Sequence, residues 1–197
     1  MPKGKGIRSA KAEGTRAALV SAARRLFAEH GFHGTSTPDI ANLAEVSRGA
    51  LQHHFARKED LFRAVFEQVE EDLIAAAQGT DGPVGKRWSD TRANLEGFLN
   101  LAANPEVQRI VLIDGPSVLG WTEWRKLEVQ YGLGLIVRAV EDGIAAGLIR
   151  KQPARPLAHM ILALIDEAAL MVANADDPQR ARAEASIALE TLLDSLV

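Results

Sequence analysis

Cysteine is absent from the 197-residue sequence. Its absence excludes a disulfide framework and any zinc site built on thiolates. Motifs of catalysis are missing as well: there is no Gly-x-Ser-x-Gly and no phosphate-binding loop, and Gly132-x-Gly134 has Val137 where a dinucleotide fingerprint needs a third glycine. We therefore expect neither an enzyme nor a protein that carries a cofactor.

Long uninterrupted hydrophobic runs are also missing. The N-terminal stretch MPKGKGIRSAKAEGTR carries charge without a following apolar run, so we do not expect a secretory signal. The most apolar stretch, Leu157–Ala173, contains His159, Asp166 and Glu167, which make it too polar for a membrane span. With 47% hydrophobic and 25% charged residues, the composition is typical of a soluble globular protein, and we expect a cytoplasmic one.

The pattern of apolar residues is helical throughout. No alternating strand pattern and no repeat of fixed period is present. The sequence therefore predicts an all-α fold with an N-terminal three-helix head, a C-terminal helical bundle and about nine helices. The predicted helices are Thr15–His30, one that begins at Ser36, Arg48–His54, Lys58–Ala77, Gly85–Ala103, Pro105–Ile113, Trp121–Ala146, Leu157–Ala175 and Gln179–Leu196, with a loop at Gly79–Pro83 and a turn at Asp114–Ser117.

Charge is distributed unevenly, although the net charge is only −3. Residues 1–58 contain ten lysines and arginines against four acids, and residues 59–197 contain thirteen against twenty-two. This asymmetry suggests that only the basic head meets a polyanion, the alternative being a solvated basic face without a partner. Residues 1–12 are expected to be a frayed terminus, or else a basic arm that contacts phosphates or a minor groove.

The stretch Ser36–Lys58 predicts two short helices joined by a tight turn. Ser36 and Asp39 have the spacing of a capping box, and Ser47 is placed to cap the next helix. Two short helices in this arrangement are typical of a helix-turn-helix, whose second helix enters the major groove of DNA. The predicted inward-facing residues are Ile40, Ala41, Ala44, Val46 and Leu51.

The exposed positions of the second of these helices suit base recognition. Arg48 can form a bidentate hydrogen bond to guanine, and Gln52 can form one to adenine. The small residues Gly49 and Ala50 would allow the helix to approach the duplex closely. Thr37 and Lys58 begin the flanking helices, where side chains and N–H groups can bond phosphates. The alternative is a small helical domain with a polar face and no DNA partner.

The stretch GFHGTSTPDIANLAEVSRGALQHHFARKEDLF resembles the DNA-binding head of the TetR family of bacterial transcriptional regulators. The shared features are Gly31-Phe32 after the first helix, the Ser-x-x-Asp-Ile-Ala opening, Val46-Ser47, and the closing His54-Phe55-x-x-Lys58-Glu-x-Leu61. The resemblance covers residues 12–66, with the helix-turn-helix at about 35–54. It implies a helical ligand-binding and dimerisation domain over residues 67–197.

By this resemblance, Ser47–His54 is the recognition helix and Lys58 holds a phosphate at the N-terminus of the fourth helix. Two positions depart from the family. An aromatic residue is usual where Gln52 stands, and a small capping residue is usual where Arg57 stands, so contacts with DNA are expected to differ there. The candidate DNA-binding residues are Ser36, Thr37, Ser47, Arg48, Gly49, Ala50, Gln52, His53, His54 and Lys58.

The resemblance also implies an apolar pocket for a small effector in the body. Asp114, Asp166 and Glu167 stand among apolar neighbours, which is costly unless they are paired or functional. Asp166 or Glu167 would meet a cationic or hydroxylated ligand; alternatively, one faces solvent and the other pairs across a dimer interface. The candidate pocket residues, for each of which an ordinary core position is the alternative, are Trp88, Phe98, Trp121, Trp124, Tyr131, Met160, Asp166, Glu167 and Met171.

The last two helices carry apolar side chains suited to burial. Leu157–Ala173 is apolar nearly all round, and the final helix has a stripe of leucines. The resemblance implies that these helices form a four-helix interface with a second copy, and a two-fold pair of heads would read a palindrome. The candidate interface residues are Leu157, Ile161, Leu164, Leu189, Leu192, Leu193 and Leu196.

Taken together, these features predict a sequence-specific transcriptional regulator, a homodimeric repressor that a small apolar or amphipathic effector releases from a palindromic operator. The alternatives are a helical small-molecule-binding or interaction protein without specific DNA reading, and an activator with the same DNA contacts. No metal is expected, because the histidines at positions 30, 33, 53 and 54 have no cysteine or carboxylate partner at ligand spacing.

Overall fold

Helices account for all the regular structure in the computed structural model, which describes residues 3–78 and 104–196. The expected all-α fold is confirmed over these ranges. If the continuous run from Pro105 to Leu119 is taken as one helix, these ranges hold nine helices. The elements are α1 (Lys3–Gly34), α2 (Thr37–Leu43), α3 (Arg48–His54), α4 (Lys58–Gln78), α5 (Pro105–Val107), a π-helix (Gln108–Asp114), α6 (Gly115–Leu119), α7 (Trp121–Tyr131), α8 (Leu133–Ala145), α9 (Ala154–Ala173) and α10 (Pro178–Asp194).

Helix α1 begins earlier than expected. It starts at Lys3 rather than Thr15, so the expectation of a frayed terminus over residues 1–12 is wrong from Lys3 onward. Extending an existing helix costs little, because each added residue gains a hydrogen bond. The predicted stop at Gly31 is a kink within α1: Gly31 has φ 70° and ψ 171°, a combination that is essentially restricted to glycine. Phe32 then turns back and is buried.

The helix-turn-helix has the predicted boundaries and caps. The hydroxyl of Ser36 accepts a hydrogen bond from the backbone N–H of Asp39 at 3.3 Å, and that of Ser47 accepts one from Ala50 at 3.1 Å. Each cap satisfies an N–H group that the first helical turn leaves unpaired. The predicted core is confirmed, with Ile40, Ala41 and Leu51 buried and Ala44 and Val46 packed at its edge.

Three phenylalanine rings anchor this unit against α1 and α4. Phe27, Phe32 and Phe62 lie with ring centroids 5.3–5.7 Å apart and are buried. Burial of each ring stabilises the fold by about 1.5–3 kcal/mol. Helix α4 therefore begins inside the head, and its later residues Phe66 and Val69 are buried in the same continuous core.

The turn predicted at Asp114–Ser117 is wrong. The chain continues there as helix, with Asp114 closing the π-helix and Pro116 in the first turn of α6. Proline is tolerated in a first turn because no N–H is required there. The chain instead breaks at Gly120, which has φ 78°.

Of the three glycines in the predicted Trp121–Ala146 segment, Gly132 and Gly143 mark a break and a close approach, as expected, whereas a Cβ atom on Gly134 would meet no neighbour within 4 Å. The segment divides at Gly132 into α7 and α8. A Cβ atom on Gly143 would lie 2.7 Å from the Ile149 side chain, so the backbone approaches its neighbour closely there. The predicted loop Gly79–Pro83 and helix Gly85–Ala103 lie outside the described residues.

Helix α9 has the length and mean hydropathy, 1.6, of a membrane span. It packs against α8 and α10 within the helical body, however, and places Ile161, Leu162 and Ile165 in the core. A core helix of a soluble protein has the same composition. The position of α9 agrees with its predicted role inside the body.

Candidate nucleic-acid interface and helical body

Helix α3 presents a polar surface. Arg48, Gly49, Gln52 and His53 are exposed, and His54 is half-buried. Leu51 alone in this helix is buried, which fixes the rotation of α3 and turns the other side chains outward. A guanidinium and an amide are thus carried on one short, capped helix, as readout in the major groove requires.

A cleft of about 290 Å³ lies between α3 and the first turns of α2 and α4. Thr37, Arg48, Gln52 and Lys58 are among its lining residues. Two helix N-termini therefore open beside the exposed face of α3, and N–H groups at such ends favour phosphate oxygens. Four of the ten predicted DNA-binding residues thus line one cleft.

The Lys58 ammonium is engaged within the chain. Its Nζ donates hydrogen bonds to the carbonyl oxygens of Phe32 at 2.8 Å and Thr35 at 2.9 Å, and it lies 4.0 Å from the centre of the Phe32 ring. Lys58 therefore ties the start of α4 to the segment that leads into α2. No local sequence pattern indicates this contact, because it depends on how α1 turns at Gly31.

Arg57 and Asp60 replace the missing small cap of α4. The Asp60 carboxylate accepts from the Arg57 backbone N–H at 3.1 Å and from its guanidinium Nη2 at 2.8 Å. A side chain at the third helical position that reaches back to the cap N–H is one half of a capping box. The Arg57 hydrogen bond lowers the pKa of Asp60 below its ordinary value, so this carboxylate is ionised at neutral pH.

The four histidines of the head do not assemble a metal site. His53 and His54 lie with ring centroids 5.6 Å apart, and within residues 3–78 and 104–196 no group of three or more histidine, cysteine or acidic side chains is placed to hold a metal ion. The adjacent histidines leave the helix in different directions.

Among the described residues, ion pairs of Arg24 and Arg63 connect the head to the body. Arg24 of α1 forms a two-point contact with Glu106 of α5, at 2.7 and 2.9 Å, and also contacts Asp72. Arg63 of α4 donates to Glu123 of α7 at 2.6 Å. Bidentate arginine–carboxylate pairs have a defined geometry, so these pairs add contacts between α1, α4 and the body.

The predicted effector-pocket residues do not converge. Trp124 is buried and Tyr131 half-buried, but Trp121 is 67% exposed, and Met160 and Met171 are 60% and 56% exposed. The prediction that Trp121, Met160 and Met171 line an inner pocket is therefore wrong, and the same holds for Glu167, which is also exposed. Positions 160, 164, 167 and 171 of α9 follow helical spacing, so they form one outer stripe rather than an inner wall. The predicted residues Trp88 and Phe98 lie outside the described residues.

Instead, a cluster of buried acids lies in the body. It comprises Glu70 of α4, Glu128 of α7 and Asp166 of α9. The Glu128 and Glu70 carboxyls lie close enough for each to affect the pKa of the other, and Asp166 accepts from Arg125 at 3.1 Å. Asp166 is therefore paired within its own chain, and not across an interface.

Burial controls the protonation of this acid cluster. Loss of hydration raises the pKa of Glu70 to about 7 and the pKa of Asp166 to about 6, against the opposing influence of Arg125. Burial also raises the pKa of Glu128 well above its ordinary value. Glu128 is 4% exposed, and its Oε1 has no hydrogen-bond partner. Burial disfavours the charged forms of these carboxyls, and Arg125 opposes the shift at Asp166 and Glu128.

Sequence reasoning missed Glu70 and Glu128. Each stands four residues after a buried aromatic residue, Phe66 or Trp124, which places it on the inward stripe of its helix. An acid in an apolar stripe was the available signal.

The predicted interface residues divide into two groups. Leu157, Ile161, Leu189 and Leu193 are buried in the chain's own core, so their prediction as contacts with a second copy is wrong. They pack α9 and α10 against each other, which a single chain already achieves. Leu164 and Leu192 are exposed and Leu196 is half-buried.

An apolar groove of about 440 Å³ lies on the outer side of α9 and α10. Leu164, Met171 and Leu192 line it and are exposed, and Met160 continues the same stripe of α9. This exposed stripe is called the α9–α10 face below.

Two family models match the sequence. One, described as bacterial regulatory proteins of the tetR family, matches residues 19–65, and the other, described as a tetracyclin repressor-like C-terminal domain, matches residues 88–196. The first contains the helix-turn-helix, and the second extends over more than half of the chain.

Solved and curated relatives agree with these matches. A TetR-family transcriptional regulator from Pectobacterium atrosepticum is 33% identical, with a TM-score of 0.80, over 95% of this chain and 96% of its own. The transposon Tn10 TetC protein of Escherichia coli is 30% identical over 60% of this chain and 59% of its own length. The regulator UidR of Escherichia coli K12 is 40% identical over 33% of each chain. The matched segments thus span less than two thirds of these curated relatives.

Proposed function

The chain belongs to the TetR family of bacterial transcriptional regulators, and we propose that it is a homodimeric repressor released from a palindromic operator by a small molecule. As a member of this family it is a DNA-binding regulator with a helix-turn-helix. We propose a DNA-binding head over residues 12–66 and a ligand-binding and dimerisation body over residues 67–197, with a regulatory rather than a catalytic role in the cytoplasm.

The observation that carries the proposal is the surface made by α3 and the starts of α2 and α4. Arg48 and Gln52 are exposed on a helix that Leu51 and the Ser47 cap hold in place. We propose that these two side chains read base edges in the major groove. Ser36, Thr37 and the first N–H groups of α4 contact phosphates and set the register.

The remaining predicted contacts have supporting roles in this proposal. Gly49 and Ala50 carry little or no side chain, so the N-terminus of α3 can approach the duplex closely. His53, exposed at the end of α3, and half-buried His54 contact the DNA backbone. Lys58 acts through its two carbonyl contacts and through its charge at the start of α4.

The proposed dimer uses the α9–α10 face. Its apolar side chains are exposed in the single chain, and a second copy related by a two-fold axis would cover them with the same surface. Such contiguous exposed apolar surface on a soluble protein indicates an interaction site. Two heads fixed in this way would read two inverted half-sites.

The proposed effector binds in the body and is amphipathic. The acid cluster supplies polar groups among apolar walls, and Glu128 has an oxygen free to accept a hydrogen bond. A ligand with a hydrogen-bond donor beside an apolar frame would bond the free Glu128 oxygen and pack against the apolar walls. It releases DNA only if it binds one head spacing more tightly than the other.

Fluorescence anisotropy of labelled DNA tests the proposal. The protein should bind the region upstream of its own gene more tightly than scrambled DNA of equal length, and the affinity should fall steeply with salt. Equal affinity for both DNAs, or a flat salt response, would instead favour a helical ligand-binding or interaction protein. A small-molecule screen for DNA release then tests the effector, and the operator's position relative to the promoter separates repressor from activator.

A further inference from the structure

A carboxylate of the body holds the backbone of the head. The Phe32 backbone N–H donates to Asp114 Oδ2 at 2.7 Å, and Asp114 is 6% exposed. Phe32 follows Gly31, at which α1 changes direction. A charge-assisted hydrogen bond to a buried carboxylate is among the stronger polar contacts in a protein. The connector between α1 and α2 is therefore fixed from the body side.

Arg109 forms an ion pair with the same carboxylate. It lies on the same π-helix as Asp114, with its Nε 3.5 Å from Asp114 Oδ2. Its guanidinium rests on Gly31, where a Cβ atom would lie 2.1 Å from Nη2. The positive φ of the bend favours glycine at position 31, and both ends of the π-helix contact this one bend of the head.

The contact continues toward the helix-turn-helix. The Phe32 carbonyl oxygen accepts from Lys58 Nζ, which also donates to the Thr35 carbonyl oxygen. Thr35 is buried, and its hydroxyl donates to the Gly31 carbonyl at 2.9 Å. The next residue, Ser36, is the cap of α2. A chain of hydrogen bonds therefore runs from the π-helix to the starts of α2 and α4.

The π-helix makes this arrangement sensitive to the state of the body. A π stretch holds one residue more than the α-helix that would replace it. Such stretches are rare in proteins overall, and those that occur are often found at functional sites. Conversion to α-helix would rotate Asp114 about the helix axis and withdraw its carboxylate from Phe32. The stretch is also joined to α7, because the Trp124 indole N–H donates to the Val111 carbonyl at 2.9 Å.

We propose that Asp114 is a positioning residue for DNA binding. It holds the Gly31–Phe32 bend in the geometry at which α3 fits the major groove, and the π-helix is the part of the body through which a change reaches the head. The proposal rests on the proposed function in one respect only, that a small-molecule effector changes the structure of the body. It is tested with DNA alone, so its failure is distinguishable from failure to find an effector.

Three full-length variants test the positioning role. DNA selected by the wild-type protein from a random pool is the probe, and anisotropy is measured at a temperature where melting curves show every variant folded. Asp114→Ala should bind at least about fivefold more weakly. Asp114→Asn keeps an acceptor for the Phe32 N–H and should bind within about twofold of wild type. Glu106→Gln weakens the separate Arg24 tie and should leave affinity unchanged.

The outcomes decide between positioning and general stability. Wild-type affinity in Asp114→Ala would overturn the proposal. Equal losses in Asp114→Ala and Glu106→Gln would overturn it too, since any weakening of the head–body contact would then suffice. If Asp114→Ala does not fold, Asp114→Ser, whose hydroxyl is too short to reach the Phe32 N–H, takes its place.

Amide hydrogen exchange gives a second readout, which a purely structural role would not move. Addition of the selected DNA to the wild-type protein should slow exchange in α2 and α3 and also in the π-helix. In Asp114→Ala, saturated with DNA, the head should still be protected while the π-helix exchanges as in the free protein. Unchanged protection of the π-helix in the variant would contradict the proposed route.

Discussion

Lys58 Nζ lies 2.9 Å from the carbonyl oxygen of Thr35, the residue before the cap of α2. This contact joins the first residue of α4 to the first residues of the helix-turn-helix. A lysine at the proposed DNA surface thus has a structural role inside the head as well as a charge for DNA. The two roles predict different consequences when the ammonium is removed.

Replacing Lys58 by Met should weaken binding to operator and scrambled DNA by similar factors, because phosphate contacts carry no sequence information. It should also lower the free energy of unfolding by about 1–3 kcal/mol, since two carbonyl groups lose a charged donor. Chemical denaturation and anisotropy measure the two effects. Lys151→Met, at an exposed lysine of the body, is the matched control and should change neither. A selective loss of operator binding in Lys58→Met would show that Lys58 reads sequence.

Replacing Arg48 by Ala should relax base preference. If Arg48 contacts a guanine, the loss should be about 1–3 kcal/mol for the preferred operator and near zero for an operator changed at that base. Gln52→Ala should do the same at a different position of the half-site. Affinities for a set of single-base operator variants provide the measurement. Both side chains are exposed, so unfolding should be unaffected, and a uniform loss over all operator variants would contradict their role as readers.

Replacing Leu164 by Glu should convert the proposed dimer to monomer. The leucine is 38% exposed on the α9–α10 face, and a charge there would have to be buried against its symmetry mate. Sedimentation velocity with wild type and variant gives the oligomeric state, and operator affinity should fall with the loss of the second head. Ala145→Glu, exposed at the end of α8, should remain a dimer. A Leu164→Glu variant that sediments as wild type would place the interface elsewhere.

Replacing Glu70 by Gln should alter how stability depends on pH. The folded protein raises the pKa of Glu70 from 4.5 to about 7, so the folded state binds more protons than the unfolded chain in this interval. Stability from this group is therefore complete below about pH 4.5 and falls as the pH rises to about 7. The variant should gain on the order of 1–3 kcal/mol relative to wild type between about pH 5 and about pH 8.

Denaturant unfolding at both pH values measures this change. Glu184→Gln, an exposed acid on α10, serves as the control and should leave the pH dependence of wild type intact. If Glu70→Gln and wild type lose stability in parallel as the pH rises, the buried carboxyl does not carry the proton that the structure assigns to it.

Local rules predicted the head well and the body poorly, for physical reasons. Ser36 and Ser47 satisfy N–H groups within three residues of themselves, so the sequence alone contains both partners. The Asp114–Phe32 contact joins residues 82 positions apart, and no local pattern reveals it. The predicted turn at Asp114–Ser117 gave too much weight to Pro116, which a first helical turn accommodates.

The same distinction applies to the α9–α10 face and the acid cluster. Apolar periodicity identified α9 and α10 as buried helices. It could not tell which face of each helix is buried within a single chain and which face is left for a second copy. Ile161 and Leu193 were assigned to the interface with a second copy, although both side chains are buried in the chain's own core. Glu70 and Glu128 meet only because α4 and α7 cross in the body, so their pairing becomes visible once the helices are packed.

Selection of DNA from a random pool by the full-length protein is the decisive test of whether α3 reads DNA sequence. We expect the bound fraction to converge on one sequence with two inverted half-sites. The same selection with Arg48→Ala should lose its preference at one position of each half-site. Convergence on no sequence by the folded wild-type protein, or an unchanged preference with Arg48→Ala, would contradict the assignment of α3 as the helix that reads DNA.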